Sequence, residues 1–169
     1  MHLPPGTVPG PPAPAPELGE GWTLREIGPA SAAGGCTRAY LACLAGLGGE
    51  AVLRLEISRV LCHPLRGCYP PGARDLALDI RIGEAGRSGQ RLAPGFLRTL
   101  TPALFAADPR CRRVVAAPAV ADTAVRQVFD AAGFRETGEA DLLGHSVVLL
   151  VAEPTRIVSQ SVALDDMPH

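Results

Sequence analysis

Two stretches of this chain alternate apolar and polar residues with a period of two. In "AVLRLEISRV" (Ala51–Val60), Leu53, Leu55 and Ile57 fall on one side, and Arg54, Glu56 and Ser58 on the other. In "DLALDIRIG" (Asp75–Gly83), Leu76, Leu78, Ile80 and Ile82 oppose Asp75, Asp79 and Arg81. Successive strand side chains point to opposite faces, so both stretches read as half-buried strands. "WTLREI" (Trp22–Ile27), the short apolar "RRVVAAP" (Arg112–Pro118) and "HSVVLLVAE" (His145–Glu153) complete the predicted strands.

Helical spacing appears in three places. In "CTRAYLACLAGLGG" (Cys36–Gly49), Tyr40, Leu41, Leu44 and Leu47 recur at helical intervals before a Gly-Gly stop, which predicts a short helix. Phe96, Leu97, Leu100 and Leu104 define a second helical face, with a kink or early end expected at Pro102. The third is "DTAVRQVFDAAGF" (Asp122–Phe134). It has Asp122 as N-cap, a buried stripe of Ala124, Val125, Val128, Phe129 and Ala132, and Gly133 as C-terminal cap. The predicted order is strand, helix, two strands, loop and helix, strand, helix, strand. That is an α/β (α+β) domain, a mixed and largely antiparallel central sheet flanked by helices.

Proline and glycine set the boundaries. Residues 1–20, "MHLPPGTVPGPPAPAPELGE", predict a disordered Pro-rich tail. Residues 61–74, "LCHPLRGCYPPGAR", read as a loop, and 156–169 as a flexible C-terminal tail. One domain over 21–155 is the expectation.

Composition narrows the chemistry. Of the 169 residues, 47% are hydrophobic and 4% aromatic, so the core must be aliphatic. The net charge of −1 gives no reason to expect nucleic-acid binding. All 16 basic residues are arginine, so lysine nucleophiles and Schiff bases are excluded, and any anion falls to Arg or to backbone N–H groups. The cysteines at 36, 43, 62, 68 and 111 have neither a disulfide framework nor metal-ligand spacing, so reduced thiols and no metal are expected. Neither a signal peptide nor a membrane-length apolar run is read from the chain, and the expected location is cytoplasmic.

"GRSGQRLAPGFLRTLTPALFAADPRCRRVVAAP" followed by "ADTAVRQVFDAAGFRETGEAD" resembles the GNAT acyltransferases. More narrowly, it resembles the siderophore-type branch that acylates the side-chain amine of lysine, hydroxylysine or a related compound. The resemblance covers roughly residues 75–153. The chain before the second strand is shorter than such domains usually are.

The resemblance implies acyl-CoA as cosubstrate, its diphosphate held by backbone N–H groups where a loop meets a helix N-terminus. In this sequence the loop is Gly86–Pro94. The implied cofactor-binding residues are Ile80 and Ile82 on the preceding strand, then Arg87, Gly89, Gln90, Arg91, Leu92 and Ala93, with Asp122 and Arg126 from the later helix. Ser88 and Arg91 stand where the family signature carries Gln or Arg and glycine. Ala117 replaces an aspartate of the branch, and Phe129 a tyrosine used as general acid. His63 and Asp79 are the implied catalytic candidates, with Tyr69 nearby. Imidazole changes charge near neutral pH and can take a proton from an ammonium nucleophile, and Asp79 can hold a cationic amine.

The expected function is therefore an acyl-CoA-dependent N-acyltransferase for an amine in siderophore or other secondary metabolism. It would act as monomer or homodimer on a small-molecule acceptor, without nucleic acid or membrane. A degenerate, non-catalytic GNAT-like binding protein and an aminoglycoside-type N-acetyltransferase are the alternatives.

Overall fold

A computed structural model describes residues 11–28, 35–83 and 87–155. The elements are β1 (Trp22–Glu26), β2 (Thr37–Leu44), β3 (Ala51–Arg59), β4 (Leu76–Ile82), α1 (Arg87–Ala107), β5 (Val114–Ala116), α2 (Thr123–Ala131), β6 (Arg135–Leu142) and β7 (His145–Ala152). They build one seven-stranded sheet in the order β1-β2-β3-β4-β5-β7-β6. Only β4 and β5 run parallel, joined through α1, and every other neighbour is antiparallel. The mixed, largely antiparallel sheet with flanking helices is as the sequence implied.

Both helices lie on one face. There α1 buries Ala93, Phe96, Leu97, Leu100 and Leu104 against Leu53, Leu55 and Ile57 of β3 and Leu76, Leu78 and Ile80 of β4. Trp22 meets Phe96 edge-on at 4.9 Å. Phe129 of α2 does the same with Phe134 at 4.9 Å. α1 runs through both Pro94 and Pro102 rather than ending at the second. Each proline forfeits one helical hydrogen bond, but five fully buried side chains on one stripe outweigh that loss.

The stretch Cys36–Gly49 is not a helix but the strand β2 and the turn after it. It pairs with β1 on one side and β3 on the other, and Tyr40 and Ala42 point into the core with a period of two. Tertiary pairing overrides the helical spacing, and Leu47, which completed that pattern, lies outside at 42% exposure. β6 was not anticipated. As an edge strand carrying Arg135, Glu136, Glu139 and Asp141 it shows little hydrophobic signal, and it is held by β7 alone.

The loop over 61–74 contains two 3₁₀ turns, Val60–Cys62 and Pro64–Gly67. It covers part of the opposite face, where Val60 and Leu65 pack on Ala77, Val115, Val147 and Leu149. Asp75, placed by the alternation on the polar side, is buried at 2% and accepts hydrogen bonds from Tyr69 Oη and Gly72 N.

The Pro-rich segment also needs correction. Residues 1–10 and the tail 156–169 lie outside the described residues. Residues 11–20 do not hang free. Ala13 is buried at 2% and its N–H donates to Gly35 O at 2.9 Å. Arg59 Nη2 donates to Pro12 O at 2.8 Å, Arg59 Nε to Pro11 O at 3.2 Å, and Arg38 Nε to Ala13 O at 3.0 Å. Proline offers no N–H to a strand, but its carbonyl accepts well from a guanidinium. Arg59 is itself fixed by Asp108 just beyond α1, at 2.7 Å, with side chains 3% and 4% exposed.

Candidate active site

β4 and β5 stay together only briefly. They pair at Leu76↔Val114 and Ala77↔Val115, and then separate. β4 continues along β3 as far as Leu53↔Ile82, while the chain after β5 follows β7 through Ala116↔Leu150 and Ala119↔Val147. Between them opens a wedge inside the sheet, and the backbone of β4 beyond Ala77 borders it without a strand partner.

α1 begins beside the open end of β4. The expected loop Gly86–Pro94 is helix from Arg87 onward, and Gly86 lies outside the described residues. Gly89, Gln90, Arg91, Leu92 and Ala93 therefore occupy the first two turns rather than a cradle. The first four N–H groups of a helix lack intrahelical partners, so the unpartnered amides here are those of residues 87–90 and not those around Ala93. Ala93 is fully buried under the helix and offers no surface to a diphosphate. Leu92 and Ile82 are half-buried against the core, Ile80 is buried at 9%, and Gln90 and Arg91 are exposed.

Gly89 has a specific geometric role. A Cβ there would stand 2.9 Å from Val52 O and 2.8 Å from Ile82 Cγ2. The absence of a side chain lets the first turn of α1 settle directly on β3 and β4, and so fixes the direction of its free N–H groups.

On the opposite face the structure brings His63 and Asp79 together. His63 Nε2 lies 3.0 Å from Asp79 Oδ2. His63 also caps the second 3₁₀ turn, its Nδ1 accepting from Leu65 N at 3.1 Å. The Leu65 N–H requires a lone pair on Nδ1, so the proton of neutral His63 sits on Nε2 and is donated to Asp79. Both ring nitrogens of His63 are thus engaged. The group left facing solvent is the Asp79 carboxylate, 47% exposed against 15% for His63.

The remaining candidates are dispersed. Tyr69 turns its hydroxyl to Asp75 at 3.0 Å, and burial together with that carboxylate raises its pKa, so it is removed from Asp79. Asp122 caps α2, accepting from Val125 N at 3.2 Å. Arg126 donates to Val120 O at 2.9 Å and lies 3.7 Å from Glu136. Phe129, where the family places a tyrosine, is core at 1% exposure. All five cysteines are unbridged. Among the described residues no His, Cys, Asp and Glu group could hold a metal, and no helix is long and apolar enough to cross a membrane.

The sheet is split between its two parallel strands, with a helix N-terminus beside the split. Residues 14–142 match the acetyltransferase (GNAT) domain family, and the chain belongs to that family. It is similar to lysine N-acyltransferase MbtK of Mycobacterium sp. (strain MCS), with 27% identity over 101 residues, 60% of this chain and 41% of that protein. It is also similar to MbtK of Mycolicibacterium paratuberculosis (strain ATCC BAA-968 / K-10), with 33% identity over 81 residues, 48% of this chain and 37% of that protein. The matches thus span about two fifths of the length of these relatives. Among solved structures, aminoglycoside acetyltransferase AAC(6')-Ib in complex with coenzyme A superposes with TM-score 0.60 at 19% identity, over 70% of this chain and 66% of that one. Spermidine N-acetyltransferase of Vibrio cholerae, in complex with CoA and spermine, gives TM-score 0.53 at 13% identity, over 70% and 66%.

Proposed function

We propose that this chain is an acyl-CoA-dependent N-acyltransferase for a small amine of the lysine or hydroxylysine type, of the kind used in siderophore or other secondary metabolism. The observation that carries the reading is the wedge between β4 and β5, with the first turn of α1 at its mouth. Acyl-CoA supplies the activated thioester. Its diphosphate would rest on the amides of residues 87–90, with Arg87 and Arg91 from the same turns as candidate phosphate partners, and its arm along the open edge of β4. Asp122 and Arg126 remain candidate contacts from α2.

The acceptor can come from one side only. The helix-bearing face is sealed by the core, whereas the other face of β4 carries Asp79. An ammonium group held by Asp79 gives up one proton to that carboxylate or through it to water. Its nitrogen then attacks the thioester carbonyl carbon, the C–S bond breaks, and the thiolate leaves and is reprotonated. In this reading a β4 N–H at the wedge polarises the carbonyl oxygen. Most of the acceleration in such a site comes from holding the two reactants together. His63 fixes the Asp79 rotamer through Nε2.

A non-catalytic GNAT-like binding protein is the second reading, favoured by Phe129 in the core and by the engagement of both His63 ring nitrogens. Thermal unfolding with acetyl-, succinyl- and long-chain acyl-CoA tests the donor site. A ligand at 100 times its Kd adds about 2.7 kcal/mol to stability. Stabilisation by one acyl-CoA together with release of free CoA in the presence of L-lysine or another small amine supports the transferase. Stabilisation without turnover on any amine favours the second reading, and no stabilisation removes the donor site.

A further inference from the structure

The open face of β3 and β4 is arranged in rungs. Glu56 stands directly opposite Asp79, and Arg54 directly opposite Arg81. Like charges facing each other across an antiparallel pair are locally unfavourable, and exchanging Asp79 with Arg81 would give two complementary cross-strand pairs instead. The chain carries the unfavourable arrangement on two successive rungs. Part of the cost is offset along β3, where Arg54 Nη2 reaches Glu56 Oε1 at 3.3 Å, and part by His63 on Asp79 at 3.0 Å. Charges sorted this way form a dish of about 310 Å³ lined by Arg54, Glu56, Asp79 and Arg81, acidic at one end and basic at the other. Local rules broken together in one place mark a site shaped by a ligand. The rungs lie two residues apart along the strands, roughly 7 Å.

Resting on the transferase reading above, we propose that the Arg54–Arg81 rung is a carboxylate seat. It selects acceptors that carry an anionic group one rung from the amine held at Asp79. An extended amino acid with a terminal side-chain amine meets both ends of the dish, whereas a polyamine or a polycationic sugar places a cation against two guanidiniums. Discrimination then comes from repulsion of the wrong acceptor as well as attraction of the right one. Arg81 and Arg54 are specificity residues and take no part in the proton transfer.

The same guanidiniums lie toward the end of β4 that leads to α1, so the rival source of an anion is a phosphate of acyl-CoA. Titrating the full chain, saturated with free CoA, which has no acyl group to transfer, with L-lysine and separately with 1,5-diaminopentane distinguishes the two by calorimetry. The two probes share the terminal amine and differ in the carboxylate. The wild-type protein is expected to bind lysine about tenfold more tightly or better, as a charge-assisted carboxylate contact provides. Arg81→Gln and Arg54→Gln should each reduce that ratio while leaving acetyl-CoA affinity unchanged. Equal binding of both probes by the wild type overturns the proposal. So does a loss of acetyl-CoA affinity in Arg81→Gln with the ratio preserved, which assigns the rung to phosphate. Because this readout is binding, a preference for lysine without any acetyl transfer would sustain the seat and overturn the transferase reading instead.

Discussion

The two faces of this sheet are built on different principles. Under α1 and α2, Leu53, Leu55, Ile57, Leu76, Leu78, Phe96, Leu97 and Leu100 are at most 1% exposed, and what that face achieves is packing. On the other face, the buried apolar cluster forms where Val60 and Leu65 cover Ala77, Val115, Val147 and Leu149. Where the cover stops, the same strands present Arg54, Glu56, Asp79 and Arg81 to water. One pair of strands therefore serves two purposes because its side chains alternate. The sealed face holds β4 rigid, and the open face uses that rigidity to set the distances between charged groups.

Mutations should separate the faces. The largest expected effect is at the buried ion pair that closes the helix-bearing side. Asp108→Asn leaves Arg59 with a weakened partner, and the loss should reach about 3–5 kcal/mol in chemical denaturation. Burial acts to raise the Asp108 carboxyl, but hydrogen bonds from Arg59 and Arg74 outweigh it and hold the group below the usual carboxylate range. Its contribution is complete above the pKa of an unfolded aspartate, about 3.9. It is lost as pH falls through the lower folded value, so Asp108→Asn should flatten the acid limb of the stability profile. Phe96→Ala, on the same face, should cost about 3–5 kcal/mol.

Gly89→Ala falls between the two faces. Its methyl group would meet Val52 O and Ile82, lifting the first turn of α1 at a cost of about 1–3 kcal/mol. Unlike Phe96→Ala, it should also weaken acyl-CoA binding, measured under conditions where both variants are fully folded. On the open face, Asp79→Asn should lower turnover about 100-fold with no change in acyl-CoA affinity. His63→Ala should do the same to a smaller extent, because it releases the carboxylate without removing it. Asp79→Asn should change stability by no more than about 0.5 kcal/mol, whereas His63→Ala also loses the contact with Leu65 N–H and should cost about 1 kcal/mol. If Asp79→Asn destabilised the protein as much as Phe96→Ala, the contrast between the faces would fail.

The sequence was most informative where one face was buried and the other wet. Period-two alternation located β3 and β4 within a residue or two, and Asp122 marked the start of α2. β2 was misread because a strand with neighbours on both sides can carry Tyr40 and Leu44 at helical spacing without being a helix. β6 was missed because an edge strand needs few apolar residues. His63 and Asp79 were each legible as candidates, but their pairing depends on a 3₁₀ turn that proline and glycine content alone read as loop. The start of α1 is hidden for a similar reason: the stretch read as a loop, Gly86–Pro94, is helix from Arg87 onward. Nothing in "RSGQRLAP" shows that the helix starts before its glycine, since that choice is made by the contact of Gly89 with Val52.

The early parting of β4 and β5 leaves an internal seam in an otherwise continuous sheet. Backbone groups along that seam should exchange their hydrogens with solvent far faster than those β4 shares with β3. A ligand threaded there would act as a surrogate eighth strand, and a loss of deuterium uptake confined to Leu78–Ile82 would report its arrival without any catalysis taking place.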